Sequence, residues 1–102
     1  MFKSEYFTMG EVIVTSTIHM YIQTNNTFAL EINKALNQYS QKDWGNLCDE
    51  DKEANEMALR HPEDLYLLGA YETSEGKIYI ITNRKSEKAG DNVTTICFPE
   101  ER

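Results

Sequence analysis

Leu65-Tyr66-Leu67-Leu68-Gly69-Ala70-Tyr71, followed after Ser74-Glu75-Gly76 by Lys77-Ile78-Tyr79-Ile80-Ile81-Thr82, decides the fold. Both runs are rich in β-branched, aromatic and aliphatic residues and alternate with period two, the pattern of strands that bury one face. The Ser-Glu-Gly between them predicts a tight hairpin. Val93-Thr94-Thr95-Ile96-Cys97-Phe98 repeats the pattern, and a connection over 83–92 can join it to its neighbour. The C-terminal third therefore reads as a three-stranded antiparallel meander.

A sheet with one apolar face needs a cover. Phe28, Ile32, Ala35, Leu36 and Tyr39 fall on one stripe of a helix from Phe28 to about Tyr39, capped by Asn26 or Thr27, while Glu31, Asn33, Lys34 and Asn37 face away. Lys42-Asp43-Trp44-Gly45-Asn46 reads as a turn, with Gly45 free to take positive φ and Trp44 packing over the seam between two helices. A further helix is expected from Cys48 or Asp49 to Arg60, stopped by Pro62, with Ala54, Met57, Ala58 and His61 facing the core. Upstream, Val12-Ile13-Val14-Thr15-Ser16-Thr17 after Gly10 suits a short strand, and Ile18, Tyr21 and Ile22 suit one or two helical turns before Thr24-Asn25-Asn26. The expected architecture is α+β: an antiparallel sheet made of the C-terminal three-stranded meander plus an N-terminal strand, covered by two to three helices in the order β-α-α-β-β-β. With 102 residues there is room for one core, so 1–102 is expected to be a single domain with a loose N-terminus over 1–9 and a flexible loop over 83–92.

Composition narrows the function classes. The chain is 40% hydrophobic with two prolines and five glycines, which is the make-up of a folded domain. Its apolar runs reach about five residues against the roughly 20 needed to cross a bilayer, so no membrane association is expected. Nothing in it resembles a signal peptide, and Cys48 and Cys97 read as reduced thiols of a cytoplasmic protein. The formal net charge of -7 argues against direct nucleic-acid binding through bulk charge.

The strong enzyme signatures are missing: no phosphate-cradling glycine loop, nucleophile elbow, metal-binding helix pair or CxxC occurs. Cys48 would need a lowered pKa to act as a nucleophile, and Asp49, Glu50 and Asp51 beside it disfavour a thiolate. His19 and His61 lack partners at metal-ligand spacing. Asp49 with Glu53, or Asp51 with Glu50, place carboxylates where Mg²⁺ can bind, but an acid-rich first turn is ordinary compensation of the helix dipole, so no cofactor or metal site is expected. A Mg²⁺-dependent nuclease whose phosphates touch Arg84, Lys85 and Lys88 is a third option, set against the reading of those bases as a solvated turn.

Charge placement is more telling than charge sum. Residues 43–64 carry eight acids (Asp43, Asp49, Glu50, Asp51, Glu53, Glu56, Glu63, Asp64) and two bases, a net of -6, which leaves nine acids and eight bases elsewhere. Along a helix this would spread carboxylates over about 20 Å, a face able to imitate a nucleic-acid backbone before a Lys/Arg groove. The competing reading is a solvated face kept acidic for solubility.

Asp43-Trp44-Gly45 with Leu47, then Glu50-Asp51-Lys52, Asn55 and Ala58-Leu59, then Ala70-Tyr71, Lys77–Thr82 and Thr94-Thr95-Ile96-Cys97-Phe98-Pro99-Glu100-Glu101 carry a resemblance. From Gly10 to the C-terminus the chain resembles a family of small proteins encoded on plasmids and other mobile elements of Gram-positive bacteria. Cys48 stands where that family would have a Ser or Thr cap, and the 83–92 loop is longer and more basic. Small acidic proteins of such elements are similar in setting to anti-CRISPR and anti-restriction proteins, and no catalytic residue is carried over. The resemblance implies a non-enzymatic inhibitor of a host CRISPR effector nuclease, type II first, or of a restriction enzyme. Its partner-binding residues would be Asp43, Trp44, Asp49, Glu50, Asp51, Glu53, Glu56 and Asp64, with Trp44 acting by packing or as a contact. The alternative is a plasmid interaction or regulatory module, including a homodimer paired through an edge strand such as 93–98.

Overall fold

The computed structural model describes residues 4–61, 63, 65–85 and 91–102; Pro62, Asp64 and residues 86–90 of the expected loop, Lys88 among them, lie outside the described residues. The elements run β1 (Glu11–Val14), α1 (Ser16–Thr24), α2 (Asn26–Ser40), α3 (Asp49–Leu59), β2 (Tyr66–Thr73), β3 (Gly76–Arg84) and β4 (Asn92–Cys97), followed by a 3₁₀ turn at Pro99–Glu101. The fold is α+β, with a four-stranded sheet in the order β1-β4-β3-β2 and helices on one face. No helix among the described residues is long and apolar enough to cross a membrane.

The meander forms as its periodicity dictates. β2 and β3 pair antiparallel from Tyr66↔Asn83 to Thr73↔Gly76, and β3 pairs antiparallel with β4 from Tyr79↔Cys97 to Arg84↔Asn92. Gly76 takes φ 106 at the hairpin. The carboxylate of Glu31 on α2 accepts the Ser74 N–H and Oγ–H (2.6–3.0 Å), fastening the hairpin tip to the covering helix.

β1 departs from the antiparallel expectation, since it lies parallel to β4 from Glu11↔Val93 to Val14↔Ile96 and the sheet is mixed. Two β4 side chains explain this direction: Asn92 Nδ2 donates to the Thr8 carbonyl and Thr94 Oγ1 to the Met9 carbonyl, each at 2.7 Å. The chain is thus pinned at the start of β4 just before β1 begins. Gly10, φ 68, sits so close that a Cβ there would lie 1.8 Å from the Asn92 carbonyl oxygen. β4 consequently lies inside the sheet, and β1 rather than 93–98 forms the free edge. Two residues before β1 reach the core: Met9 is buried, and the Phe7 ring stands edge-on to Tyr39 at 5.4 Å and lies 6.1 Å from Trp44. The 83–92 segment is narrowed at its base, where Lys85 N–H donates to the Asp91 carbonyl at 2.7 Å.

α1 and α2 begin where side chains supply the missing acceptors. Thr15 Oγ1 accepts Ile18 N–H, which ends β1 at Val14 and draws Ser16 and Thr17 into α1 instead of the strand. Asn25, one residue before the expected cap, accepts Phe28 N–H at 3.1 Å and starts α2. The α2 stripe is buried as read, with Phe28, Ile32, Ala35, Leu36 and Tyr39 set against Leu67, Tyr71, Ile78, Ile80 and Ile96 of the sheet.

A chain of hydroxyls crosses this core. Tyr39 Oη–H donates to Thr82 Oγ1, Thr82 shares a hydrogen bond with Thr94, and Thr94 donates to the Met9 carbonyl, each at 2.7 Å. Because Thr94 spends its only proton on Met9, the shared bond must run from Thr82 to Thr94. Burial pushes the Tyr39 hydroxyl well above the usual tyrosine range, so it is always a donor.

The C-terminus is tied to the start of α1. Glu101 Oε1 accepts Phe98 N–H and the Thr15 hydroxyl, both at 2.9 Å, and the first of these holds the Glu101 carboxyl below its ordinary value of 4.5. A carboxyl depressed in the folded state stabilises fully above its unfolded pKa, and the contribution is lost as pH falls through the folded one. Glu101→Gln should therefore lower the melting temperature slightly at pH 7, and the gap from wild type should close as pH is lowered toward 2.

Candidate functional site

The acidic helix α3 covers the β2 edge of the sheet. Along β2 the even-numbered residues turn their backbone groups away from β3, and two of them are satisfied by this region of the chain. Asn55 Nδ2 donates to the Leu68 carbonyl at 2.8 Å while Asn55 Oδ1 accepts Leu68 N–H at 3.1 Å. Next along the edge, Ala70 N–H donates to the Trp44 carbonyl and Asn46 N–H to the Ala70 carbonyl, at 3.0 and 2.7 Å. An amide side chain and a short extended turn together stand in for a fifth strand. Gly45 is required there, because at φ 74 a Cβ would fall 2.0 Å from the Ala70 carbonyl oxygen.

This arrangement sets the rotation of α3. Asn55 is 3% exposed and faces the sheet, with Lys52, Glu56, Ala58 and Leu59 half-buried around it. Ala54, Met57 and His61, expected to face the core, are exposed, Met57 at 51%. The helix is turned so that an amide rather than a methyl face meets β2, since the edge offers unpaired peptide groups that only a donor-acceptor side chain can satisfy.

The eight residues expected to bind a partner divide accordingly. Asp49, Glu50, Asp51 and Glu53 are exposed on the first two turns of α3, and none has an ion pair or hydrogen bond with another described side chain. They lie at the positive end of the helix dipole. Cys48 is the N-cap residue but makes no side-chain cap bond, and its thiol is exposed.

Glu56 is turned inward: Oε1 lies 3.3 Å from Lys42 Nζ, and Oε2 accepts Trp44 Nε1–H at 3.3 Å. Asp43 is exposed, yet both its oxygens are used within the turn, Oδ1 by Gly45 N–H and Oδ2 by Gln38 Nε2. Trp44 is 4% exposed, stacked edge-on against Tyr39 at 5.5 Å. It packs in the core and braces α3 through Glu56. Asp64 lies outside the described residues.

Among the described residues of 43–64, the carboxylates without a side-chain partner lie on the first two turns of α3. Four carboxylates occupy about 6 Å of helix axis, at 1.5 Å per residue, with Met57 and Ala54 beside them on the outer face. Sequence reading quoted Asn55 and Lys42 but gave neither a part in positioning this helix. The signal was present for Asn55 as a polar residue at the i+3 spacing from Lys52 and i−4 from Leu59, the face the structure buries.

A small polar cleft of about 240 Å³ lies on the other side of the 43–46 turn, lined by Glu31, Lys34, Gln38, Asn46, Tyr71 and Glu72 among others. Among the described residues no group of three or more His, Cys, Asp or Glu side chains is placed to hold a metal ion. The Tyr71 hydroxyl donates to the Asp43 carbonyl at 2.7 Å, and burial raises its pKa far above the ordinary tyrosine value. The region therefore consists of a rigid, hydrogen-bonded turn carrying an exposed anionic helix end. No family model, curated protein or solved structure matches the chain.

Proposed function

We propose that this protein is a non-enzymatic, acidic inhibitor of a bacterial defence nuclease, acting in the host cytoplasm by binding and blocking nucleic-acid access. The partner in this reading is a type II CRISPR effector first and a restriction enzyme second. The observation that carries it is the set of four exposed carboxylates, Asp49, Glu50, Asp51 and Glu53, on a helix fastened to β2 by Asn55 and to Lys42 and Trp44 of the preceding turn by Glu56. A helix already fastened to its neighbours loses little backbone freedom on docking, so charge attraction to a Lys/Arg groove is not spent on ordering it. Met57, exposed beside the acids, adds an adaptable apolar contact at the same face. The mobile-element resemblance supports the choice of partner.

The test is cleavage by a guide-loaded type II CRISPR nuclease titrated with this protein at low and moderate salt. Inhibition is expected to saturate at stoichiometric amounts and to weaken with salt, because each neutralised contact adds to the ionic-strength dependence. Asp49→Asn, Glu50→Gln, Asp51→Asn and Glu53→Gln combined should weaken inhibition about tenfold or more at low salt and flatten its salt dependence. The variant should keep the wild-type circular dichroism, since the four side chains hold no other described side chain. Equal inhibition by this variant would sink the acidic-face mechanism, and no inhibition across a panel of CRISPR and restriction nucleases would sink the assignment itself.

A further inference from the structure

The two edges of the sheet are treated differently. The β2 edge is closed by Asn55 and the 44–46 turn, whereas β1 ends the sheet on the other side. Thr15 N–H donates to the Ile96 carbonyl, which fixes the parity of the parallel ladder: Glu11, Ile13 and Thr15 turn their backbone groups to β4, and Val12 and Val14 turn theirs outward. No other described residue hydrogen-bonds those outward groups. Val12 and Ile13 are 38% and 41% exposed, one toward each face of the sheet. The strand is short and begins with Glu11, but it carries no proline, no lysine and no bulge.

We propose that β1 pairs antiparallel with β1 of a second copy of this chain across a two-fold axis through Ile13. Three features select a second copy as the occupant. Val12-Ile13-Val14 reads the same in both directions, so the two-fold register sets Val12 against Val14 of the other copy and Ile13 against its own equivalent. In that register the outward N–H and C=O of Val12 and Val14 on both strands are all satisfied, leaving Ile13 as the closely spaced non-hydrogen-bonded pair on the axis.

The third feature is charge. Glu11 falls opposite Thr15 instead of a second Glu11, and its carboxylate already lies 3.4 Å from Lys85 of its own chain. The strongly acidic α3 sits at the far edge of each sheet. Two chains of net charge -7 thus meet through their least acidic edges. The product is one continuous eight-stranded sheet whose two β2 strands lie roughly 34 Å apart at about 4.8 Å per strand. If the inhibitor reading holds, this makes a bivalent acidic ligand, but the pairing does not depend on that reading.

A four-residue edge is small, so the dimer is expected to be reversible, with a dissociation constant on the order of micromolar to tens of micromolar. Sedimentation equilibrium of the full chain from about 1 μM to 1 mM should show monomer passing to dimer, in the absence of any nuclease. Ile13→Lys places two cations face to face on the axis and should weaken association on the order of tenfold or more while leaving the monomer folded. In a Cys48→Ser background, Ile13→Cys should cross-link under mild oxidation, because a non-hydrogen-bonded antiparallel pair meets disulfide geometry, whereas Val12→Cys should not. A chain that stays monomeric to 1 mM overturns the proposal. So does a dimer that Ile13→Lys leaves intact or that Val12→Cys cross-links as readily as Ile13→Cys.

Discussion

Asn55→Ala is expected to destabilise the domain by about 2–4 kcal/mol, far more than an alanine in a helix ordinarily does. The amide makes two hydrogen bonds to the backbone of Leu68, and alanine would leave both a peptide N–H and a carbonyl unpaired beside a buried position. Each such orphan costs about 1–3 kcal/mol, reduced by whatever water reaches the edge. Urea unfolding at pH 7 measures the loss, and amide exchange should show it concentrated in α3 and in Leu68.

Asn55→Asp separates hydrogen bonding from packing. Its carboxylate can accept Leu68 N–H but faces the Leu68 carbonyl with like partial charge, so its folded-state pKa is raised. A raised folded pKa means that the native state binds the proton more readily, so this variant should gain stability relative to wild type as pH falls from 7 toward 4. An Asn55→Asp variant with the pH profile of wild type would show that the clamp is not the source of the stability. Since Asn55 also aims the acidic face, under the proposed inhibitor function the destabilised variants should lose inhibition in step with the ordering of α3.

Thr94→Val is the second large effect, about 2–3 kcal/mol, with Thr82→Val costing about 1–3 kcal/mol. Valine keeps the shape of threonine, so the change reports the hydroxyl. Removing Thr94 Oγ1 strands the Met9 carbonyl, whose residue is buried, and takes away the acceptor of Thr82. Removing Thr82 Oγ1 leaves the Tyr39 hydroxyl with only the Leu67 carbonyl, at 3.5 Å.

The two residues belong to one directional chain, so the double variant should lose less than the sum of the single ones, with a coupling of about 0.5 kcal/mol or more. Thermal or urea unfolding of the four-member cycle measures it, and strict additivity would contradict the relay. Thr94→Val should also loosen the entry into β1, because Met9 is one of the two carbonyls that pin that strand parallel to β4.

Periodicity was a reliable guide wherever burial alone decided the outcome. β2, β3, β4 and the α2 stripe lie where alternation and the i, i+4, i+7 spacing put them, because an apolar face has one way to leave water. The acidic segment was readable as a helix from its acid-rich first turn, which sits at the N-terminus where the dipole favours it. Hydropathy gave no such guide to the use of each carboxylate. Asp43 and Glu56 look like Glu50 and Glu53 in composition, yet the first two are bound to a turn and to Lys42 and Trp44.

By itself, then, the amino-acid sequence determined the α+β class, the hairpin, the covering helix and the concentration of charge, all of which follow from local patterns of apolar and charged side chains. Only the tertiary structure decided the parallel direction of β1, the rotation of α3 and which edge of the sheet stays open. Those three depend on which backbone N–H and C=O groups remain unpaired once the strands assemble. Asn55, Asn92 and Thr94 settle them because their short polar side chains stand within hydrogen-bond reach of peptide groups 13 to 85 positions away along the chain.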